Sequence, residues 1–435
     1  MRHLLKEMII NKDVRVCVLG LGYVGLPLAV ELAKIGYLTI GIDKNIDRVE
    51  QVKQGYHYVS GKNDEELKQL VQQGKLNVFS SLPTGMDMDV IVICVPTSLT
   101  KNLTPDLQHV RSASEEISKI IKPGQLICLE STVYPGTTED VVLPVLESTG
   151  LQVEKDFFLC HSPERVDPGN KTYTTENTNK IVGGIGPHSL DLGLCFYEQT
   201  ISHVVPVTDV KAAELAKIYE NTFRAVNIAL ANEFALLCDK MKICVWDVLE
   251  AAFTKPFGIM PFYPGPGVGG HCIPIDPHYI EWKAREYNFL TRFINIAGEI
   301  NRKMPEHVRE IIIRTLNNNG LAPSCSKILI LGMSYKKDVN DSRESPAVCL
   351  AELLLKDGIE LMYHDPFVSE VTLSTKKIYS VPLCGRVVND VDIVLIITDH
   401  STIDYHWLVN NARTIVDTRN ATKGIPGREK KVVLI

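Results

Sequence analysis

The sequence predicts an α/β protein with two Rossmann-like domains joined by a central helical domain. Three observations carry that expectation. Strand-length apolar runs alternate with helically spaced ones in both the first and the last part of the 435-residue chain. A glycine loop, Gly20-Leu21-Gly22-Tyr23-Val24-Gly25, stands between the first such strand and the first such helix. From Thr208 onward the spacing turns helical and stays so for a long stretch. The expected boundaries are 1–207, 208–318 and 319–435.

Val14 to Leu19 reads as a buried strand, and Leu26 to Ile35 as the helix that stops at Gly36. Leu38 to Ile42 is the next strand, and it ends in Asp43. Strand, glycine turn, helix, strand and acid is the order of a dinucleotide-binding unit. Gly20 makes the tight turn, Gly22 admits a pyrophosphate to the helix N-terminus, and Gly25 lets helix and strand pack closely. Tyr23 and Val24 belong to the same loop. Asp43 is placed to accept hydrogen bonds from the adenosine ribose. A carboxylate there repels a 2′-phosphate, so NAD is favoured over NADP, a preference that Lys44 and Arg48 soften. Val90 to Val95 is a further strand ending in Pro96-Thr97, and Leu126 to Leu129 another, ending in Glu130-Ser131-Thr132. Ligands sit at the carboxyl ends of such strands, so these residues line the crevice of the glycine loop. Phe157 to His161 reads as a later strand, followed by Ser162-Pro163-Glu164-Arg165. Turn chemistry alone accounts for any one of these residues taken singly.

In the helical middle, Lys211, Glu214, Lys217, Asn221 and Arg224 recur every three or four residues. Lys217 and Asn221 are i,i+4 neighbours on one polar face. The ordinary reading of such a face is a solvated one, with Leu215, Ile218 and Phe223 on other sides. The stretch is long enough to connect domains and to form a dimer surface. Downstream, Pro264-Gly265-Pro266-Gly267 cannot be regular helix or strand. It leads to Gly269-Gly270-His271-Cys272-Ile273-Pro274-Ile275-Asp276. If Pro274 opens a helix, Cys272 lies just before a helix N-terminus, which favours thiolate. The plain alternative is a tight turn beside a buried, inert cysteine.

The last part begins near Ser326. Lys327 to Leu331, Glu360 to Tyr363, Val391 to Ile397 and Thr414 to Val416 read as strands, and Ser345 to Lys356 as a helix. There is no GxGxxG, so this unit is expected to bind a different nucleotide or none. Lys336, Arg343 and Arg419 each follow a strand, where phosphate or uracil contacts are made.

Composition removes several classes. A net charge of −6 argues against a general nucleic-acid binder. The apolar runs fall well short of the roughly 20 residues of a membrane span. The start, MRHLLKEMIINKD, lacks the apolar core of a secretory signal. Eleven scattered cysteines without a CxxC pair suggest a reduced, cytoplasmic chain with neither a disulfide framework nor a metal site.

Six segments together resemble the UDP-glucose/GDP-mannose dehydrogenase family over essentially the whole chain. They are GLGYVGLP from Gly20, ESTVYPGTT from Glu130, SPERVDPGN from Ser162, AAELAKIYENTFRAVNIALANE from Ala212, PGPGVGGHCIPIDP from Pro264 and SYKKDVNDSRESP from Ser334. Members that oxidise UDP-glucose usually have Ser or Thr where His271 stands and often Lys where Ile275 stands. GGHCIPIDP with SPERVDPGN resembles the branch acting on UDP-N-acetylhexosamines, most closely the UDP-N-acetylglucosamine 6-dehydrogenases. The mannosamine and galactosamine epimers, UDP-glucose, and an NAD-binding regulator without catalysis remain alternatives.

The resemblance implies NAD as cofactor, and two oxidations at one carbon through a thiohemiacetal and a thioester on Cys272. It implies that Lys217 and Asn221 stabilise charge on the C6 oxygen, and that Asp276 acts as base or orients water held by Thr132. Glu164 would assist thioester formation and hydrolysis. Lys336 and Arg419 would hold the uridine diphosphate, and Arg343 the cofactor pyrophosphate. Tyr263, Gly267 and Gly269 would contact substrate, and Arg165 or His271 the acetamido group. The first domain would then bind NAD, the second carry the cysteine loop and the homodimer contact, and the third bind the UDP-sugar.

Overall fold

The computed structural model describes residues 1–58, 64–83, 85–100, 102–166, 170, 172–374 and 376–435. By packing it forms two units, Met1–Glu220 with His278–Phe289 and Asn221–Pro277 with Leu290–Ile435.

The first unit is built on an eight-stranded sheet. Its strands are β1 (Arg15–Leu19), β2 (Leu38–Ile42), β3 (Leu76–Phe79), β4 (Val90–Ile93), β5 (Leu126–Leu129), β6 (Phe158–His161), β7 (Lys180–Gly184) and β8 (Val204–Pro206). Their spatial order is β8-β7-β6-β5-β4-β1-β2-β3. All neighbours are parallel except β6 and β7. The order reverses between β1 and β4, which is where an open α/β sheet holds its ligand. β4 and β5 are buried along their whole length, as their unbroken apolar runs foretold. Helices cover both faces, so the sheet separates two apolar clusters, one around Leu26, Leu28 and Leu32, the other around Ile91, Ile127 and Leu159.

One helix precedes β1 and another follows the glycine loop. α1 (Arg2–Asn11) has no counterpart in the expectations from sequence. Only Leu5 and Ile9 of it are buried, too few to mark a helix in ten residues, and Lys6 ties it to Asp191 at 2.5 Å. α2 (Gly25–Lys34) follows the loop and is buried almost throughout.

α3 (Val210–Met241) is one continuous helix. Its polar face departs from the solvated one expected: Glu214, Lys217 and Asn221 are buried. A 3.6-residue period shows which residues share a face but not whether that face meets solvent. By contrast Leu215, Tyr219, Phe223, Leu230, Phe234, Leu237 and Met241 are exposed at helical spacing along another side.

The second unit contains α4 (Val245–Phe253), the start of α5 (Asp276–Arg285) and α6 (Arg292–Asn318). Its five-stranded parallel sheet has the order β10-β9-β11-β12-β13. The strands are β9 (Lys327–Leu331), β10 (Glu360–His364), β11 (Ile393–Ile396), β12 (Ile415–Asp417) and β13 (Val432–Leu434), with α7 (Pro346–Lys356) against one face. Among the described residues, no helix is long and apolar enough to cross a membrane.

Candidate active site

In the first unit the glycine loop follows β1 directly. Gly20 has φ +94, and a Cβ there would meet the Cys94 carbonyl oxygen at 2.5 Å. At Gly25 a Cβ would meet the Gly20 oxygen at 1.8 Å, so helix and turn pack to contact. Around Gly22, in contrast, nothing lies within 4 Å of a Cβ position. Two glycines are thus required by the protein, and the third keeps a space open at the N-terminus of α2, the place for a phosphate. Asp43 caps the arrangement from the end of β2. Its carboxylate accepts from Leu21 N at 2.9 Å and Asn45 N at 2.8 Å, with Arg48 Nη1 at 3.5 Å. Tyr23 and Val24 are half-buried in the same loop. These residues fit an adenine dinucleotide: an open cradle, a helix N-terminus and a fixed acid. Arg48, expected from sequence to soften the NAD preference, lies against Asp43.

The strand ends divide in role. Pro96 is exposed and Thr97 half-buried after β4. Ser131 donates to Val95 O at 2.7 Å, which ties the ends of β4 and β5 together. Thr132 beside it is half-buried. Glu130 is wholly buried, and accepts from Lys180 Nζ at 3.0 Å and Tyr197 Oη at 2.7 Å. Its neighbours in sequence gave no sign of that inward pair. Beyond β6, Glu164 accepts a hydrogen bond from Val166 N. Arg165 donates to Asn179 O at 2.7 Å and pairs with Glu220 at 2.6 Å. Asp167, Pro168 and Gly169 of the same motif lie outside the described residues. Lys217 is 7% exposed on α3.

In the second unit the cysteine loop is held from several sides. The structure corrects the expected helix start: Ile273 to Ile275 form a turn, and the helix begins at Asp276 with Pro277 as its second residue. Pro274 has the right φ for a first turn, but the carbonyl of Cys272 already accepts from Ile275 N at 3.1 Å and Asp276 N at 2.9 Å, which sets the turn. Cys272 is half-buried rather than enclosed. Asp276 is 2% exposed and accepts from Asn221 Nδ2. Asn221 Oδ1 in turn accepts from Arg224. Sequence grouping put Asn221 with Lys217; within this unit it is oriented by Asp276 and Arg224. Arg224 was visible as the last member of the polar face, one turn on, but carried no assigned role.

Glycines 265, 269 and 270 are places where the backbone is pressed against side chains. A Cβ at Gly265 would lie 2.6 Å from Arg419 Nη1, and Gly265 N donates to Asn232 at 2.9 Å. At Gly269 it would meet Pro346 Cδ at 2.7 Å, and at Gly270 the Tyr335 ring at 2.8 Å. Gly267 has φ +127. Arg419 reaches this loop from the end of β12 while its Nε donates to Ile397 O at 2.8 Å. Arg343 is clamped by Asp341, with Nη2 to Oδ2 at 2.6 Å and Nε to Oδ1 at 2.9 Å. His271 stands beside this pair, 3.4 Å from Arg343 Nη2, with its ring edge-on to Tyr335. Burial, then the Arg343 charge, holds the His271 imidazole below its ordinary value, so it is neutral near pH 7. Lys336 is half-buried after β9, and Tyr263 stacks on Trp246 at 5.7 Å. Asn232, Tyr335 and Asp341 were missed from sequence, because nothing in their spacing shows that they support a loop 30 to 75 residues away.

The chain matches the UDP-glucose/GDP-mannose dehydrogenase family in three consecutive parts: its NAD binding domain over residues 14–201, its central domain over 211–303 and its UDP binding domain over 329–424. The chain belongs to this family. A UDP-N-acetyl-D-mannosamine dehydrogenase of Pyrococcus horikoshii is 34% identical over 95% of this chain and 97% of its own length. A UDP-N-acetyl-D-glucosamine 6-dehydrogenase of Pseudomonas aeruginosa is 36% identical over 82% and 84%. The solved structure of a UDP-D-ManNAc dehydrogenase from Pyrococcus horikoshii superposes with a TM-score of 0.87, at 32% identity and 97% and 98% coverage. As a nucleotide-sugar dehydrogenase of this family, the protein takes NAD as its cofactor, which agrees with the open glycine cradle and Asp43.

Proposed function

We propose that this chain oxidises the C6 hydroxyl of a UDP-N-acetylhexosamine to the uronic acid, with Cys272 holding the sugar between two oxidations. The observation that carries the reading is the cysteine loop: a half-buried thiol whose own carbonyl caps the turn into Asp276, which Asn221 orients. NAD supplies the electron acceptor for both oxidations when bound. Gly20, Gly22, Tyr23, Val24, Gly25, Asp43, Arg48, Pro96, Thr97, Ser131, Thr132 and Arg343 are the residues assigned to hold it. After the alcohol has become an aldehyde, Cys272 Sγ adds to C6 and gives a thiohemiacetal. The second oxidation leaves a thioester, and water releases the carboxylate and the thiol. Lys217 and Asn221 bind the developing negative oxygen. Asp276 and Thr132 direct the water, and Glu164 moves the proton in thioester formation and hydrolysis. Lys336 and Arg419 grip the diphosphate; Tyr263, Gly267 and Gly269 meet the nucleotide or sugar. Arg165 or neutral His271, the latter able both to donate to an amide and to accept from one, is assigned to the acetamido end.

Which epimer is used rests on two supports that differ. The motifs GGHCIPIDP and SPERVDPGN favour N-acetylglucosamine. Several relatives, including the one matched over 95% of this chain, carry the mannosamine name. The two sugars differ at one stereocentre, within reach of one or two contacts. The division into an NAD domain, a central domain with the cysteine and a UDP-sugar domain follows the same reading, as does a cytoplasmic role in surface-polysaccharide precursor synthesis. The exposed apolar stripe on α3 supports a homodimer through that helix.

The test is NADH formed to completion from UDP-N-acetylglucosamine, its mannosamine and galactosamine epimers, and UDP-glucose. Two NADH per sugar with one N-acetylhexosamine supports the reading and fixes the epimer. One NADH per sugar removes the thioester route, and no NADH with any of them leaves the regulator. Arg165→Ala tests the acetamido assignment, since equal losses with N-acetyl and glucose substrates would sink it.

A further inference from the structure

Glu214 has no part in the chemistry just assigned, yet it is one of the most completely engaged acids in the first unit. It sits on α3, three residues before Lys217, and is 1% exposed. Its Oε2 accepts from Gly136 N at 2.5 Å. Its Oε1 accepts from Thr138 N at 2.8 Å and Thr138 Oγ1 at 2.7 Å. The partners open the helical segment Thr138–Val142, whose first amides need acceptors from outside. The acceptor is borrowed from α3. Gly136 itself is tightly set, with φ +96 and Asp140 Oδ2 2.8 Å from where a Cβ would stand. The loop from Thr132 to Gly136 leads straight off β5. One carboxylate therefore pins the Thr132 loop to the helix that carries Lys217.

Resting on the dehydrogenase function proposed above, we infer that Glu214 is a positioning residue that fixes Lys217 relative to the Thr132 loop, and that only its carboxylate form does so. The Gly136 and Thr138 amides facing it can only donate, and the Thr138 hydroxyl donates here but can also accept. A protonated Glu214 would turn its O–H onto that hydroxyl, reverse the bond, and leave the two amides a neutral, weaker acceptor. Burial pushes Glu214 up to about 7, against the pull of the Thr138 and Gly136 hydrogen bonds, and Glu139 adds to the rise. The surrounding charges are matched with one another: Lys211 of α3 pairs with Glu139, and Lys283 of α5 with Asp140 at 3.6 Å and Glu286 at 2.7 Å. Lys283 Nζ also lies 5.2 Å from the centre of the Tyr134 ring. The anchor is thus complete above about pH 7 and is weakened below it.

The experiment is a pH profile of kcat, with KM for sugar and NAD⁺, for the native protein, Glu214→Gln and Thr138→Val. Glu214→Gln presents an amide N–H to a donor. It is expected to lower kcat by about tenfold to a hundredfold with KM nearly unchanged, and to abolish the acid limb near pH 7. Thr138→Val keeps the acid but removes one donor, so its acid limb should move to higher pH; it serves even if the first variant fails to fold. Hydrogen exchange of the Gly136 amide, without substrate, should show protection that rises through pH 7 in the native protein and not in Glu214→Gln. Acid limbs unmoved in both variants, or lower thermal stability with unchanged kcat profiles, would overturn the inference. If the native protein oxidises none of the sugars, the proposed function fails instead, and Gly136 protection still decides the anchor.

Discussion

The two sheets place an aspartate at the same point, the end of the second strand, and use it differently. Asp43 follows β2 and takes hydrogen bonds from Leu21 N and Asn45 N, with Arg48 at a longer 3.5 Å. Asp365 follows β10 and takes five. Met333 N, Ser334 N and His400 Nε2 reach one oxygen at 2.7, 2.9 and 3.2 Å, and Phe367 N and Val368 N the other at 2.8 and 3.0 Å. The side chain of Asp43 is 10% exposed and that of Asp365 is 0%. His400 completes the second arrangement. Its Nδ1 accepts from Asp338 N at 3.0 Å, so the ring proton is on Nε2, facing Asp365 and Ser334. The Ser334, His400 and Asp365 trio is accordingly a closed structural knot, with Ser334 fully buried. The same fold position leaves lone pairs unfilled at Asp43, the acid proposed to meet NAD, and is filled by the protein's own donors at Asp365.

Removing each acid separates the two uses. Asp365→Ala strands four buried N–H groups, and should cost about 3 kcal/mol or more in urea unfolding, with faster exchange at Met333 and Ser334. A loss no larger than that of Asp43→Ala would erase the distinction. Titration sharpens it next. Burial would raise Asp365, but hydrogen bonds from His400, Ser334 and Phe367 outweigh it and hold the acid at about 2, against 3.8 ordinarily. Its ionised form thus stabilises the fold above about pH 4, by about 2 kcal/mol, and that contribution fades as pH falls towards 2. Acid unfolding of Asp365→Asn should lack this component. Asp43→Ala strands the Leu21 and Asn45 amides and should cost less stability than Asp365→Ala, but weaken NAD binding by about tenfold to a hundredfold, and improve NADP relative to NAD because Arg48 is released. An NAD Kd unchanged in calorimetry would refute the ligand role. Smallest is Gly265→Ala, whose Cβ displaces Arg419. About a tenfold loss in UDP affinity with NAD affinity intact is expected; the reverse pattern would break the division of labour.

How much of this was legible follows the kind of signal each residue leaves. Asp43 was readable because glycine loop, helix, strand and acid lie within a short span, so local spacing defines the site. Lys327 to Leu331 and Leu126 to Leu129 were readable as strands because burial on both faces leaves an unbroken apolar run. Lys217, Asn221 and Glu214 were readable as one helix face but not as buried, since periodicity carries no record of what covers it. Asp341 behind Arg343, Asn232 behind Gly265 and the five donors on Asp365 were not readable. Each joins residues far apart in sequence, with no shared pattern.

Sequence by itself determined the fold class, the glycine loop, the cysteine loop and the family, because those depend on contiguous residues whose types have few other uses. Tertiary structure decided which of the polar residues hold the protein together. It turned Glu130 inward to Lys180, Glu214 onto Gly136 and Thr138, and Arg165 onto Glu220. A buried carboxylate must find donors, and only the packed chain specifies which donors are within reach.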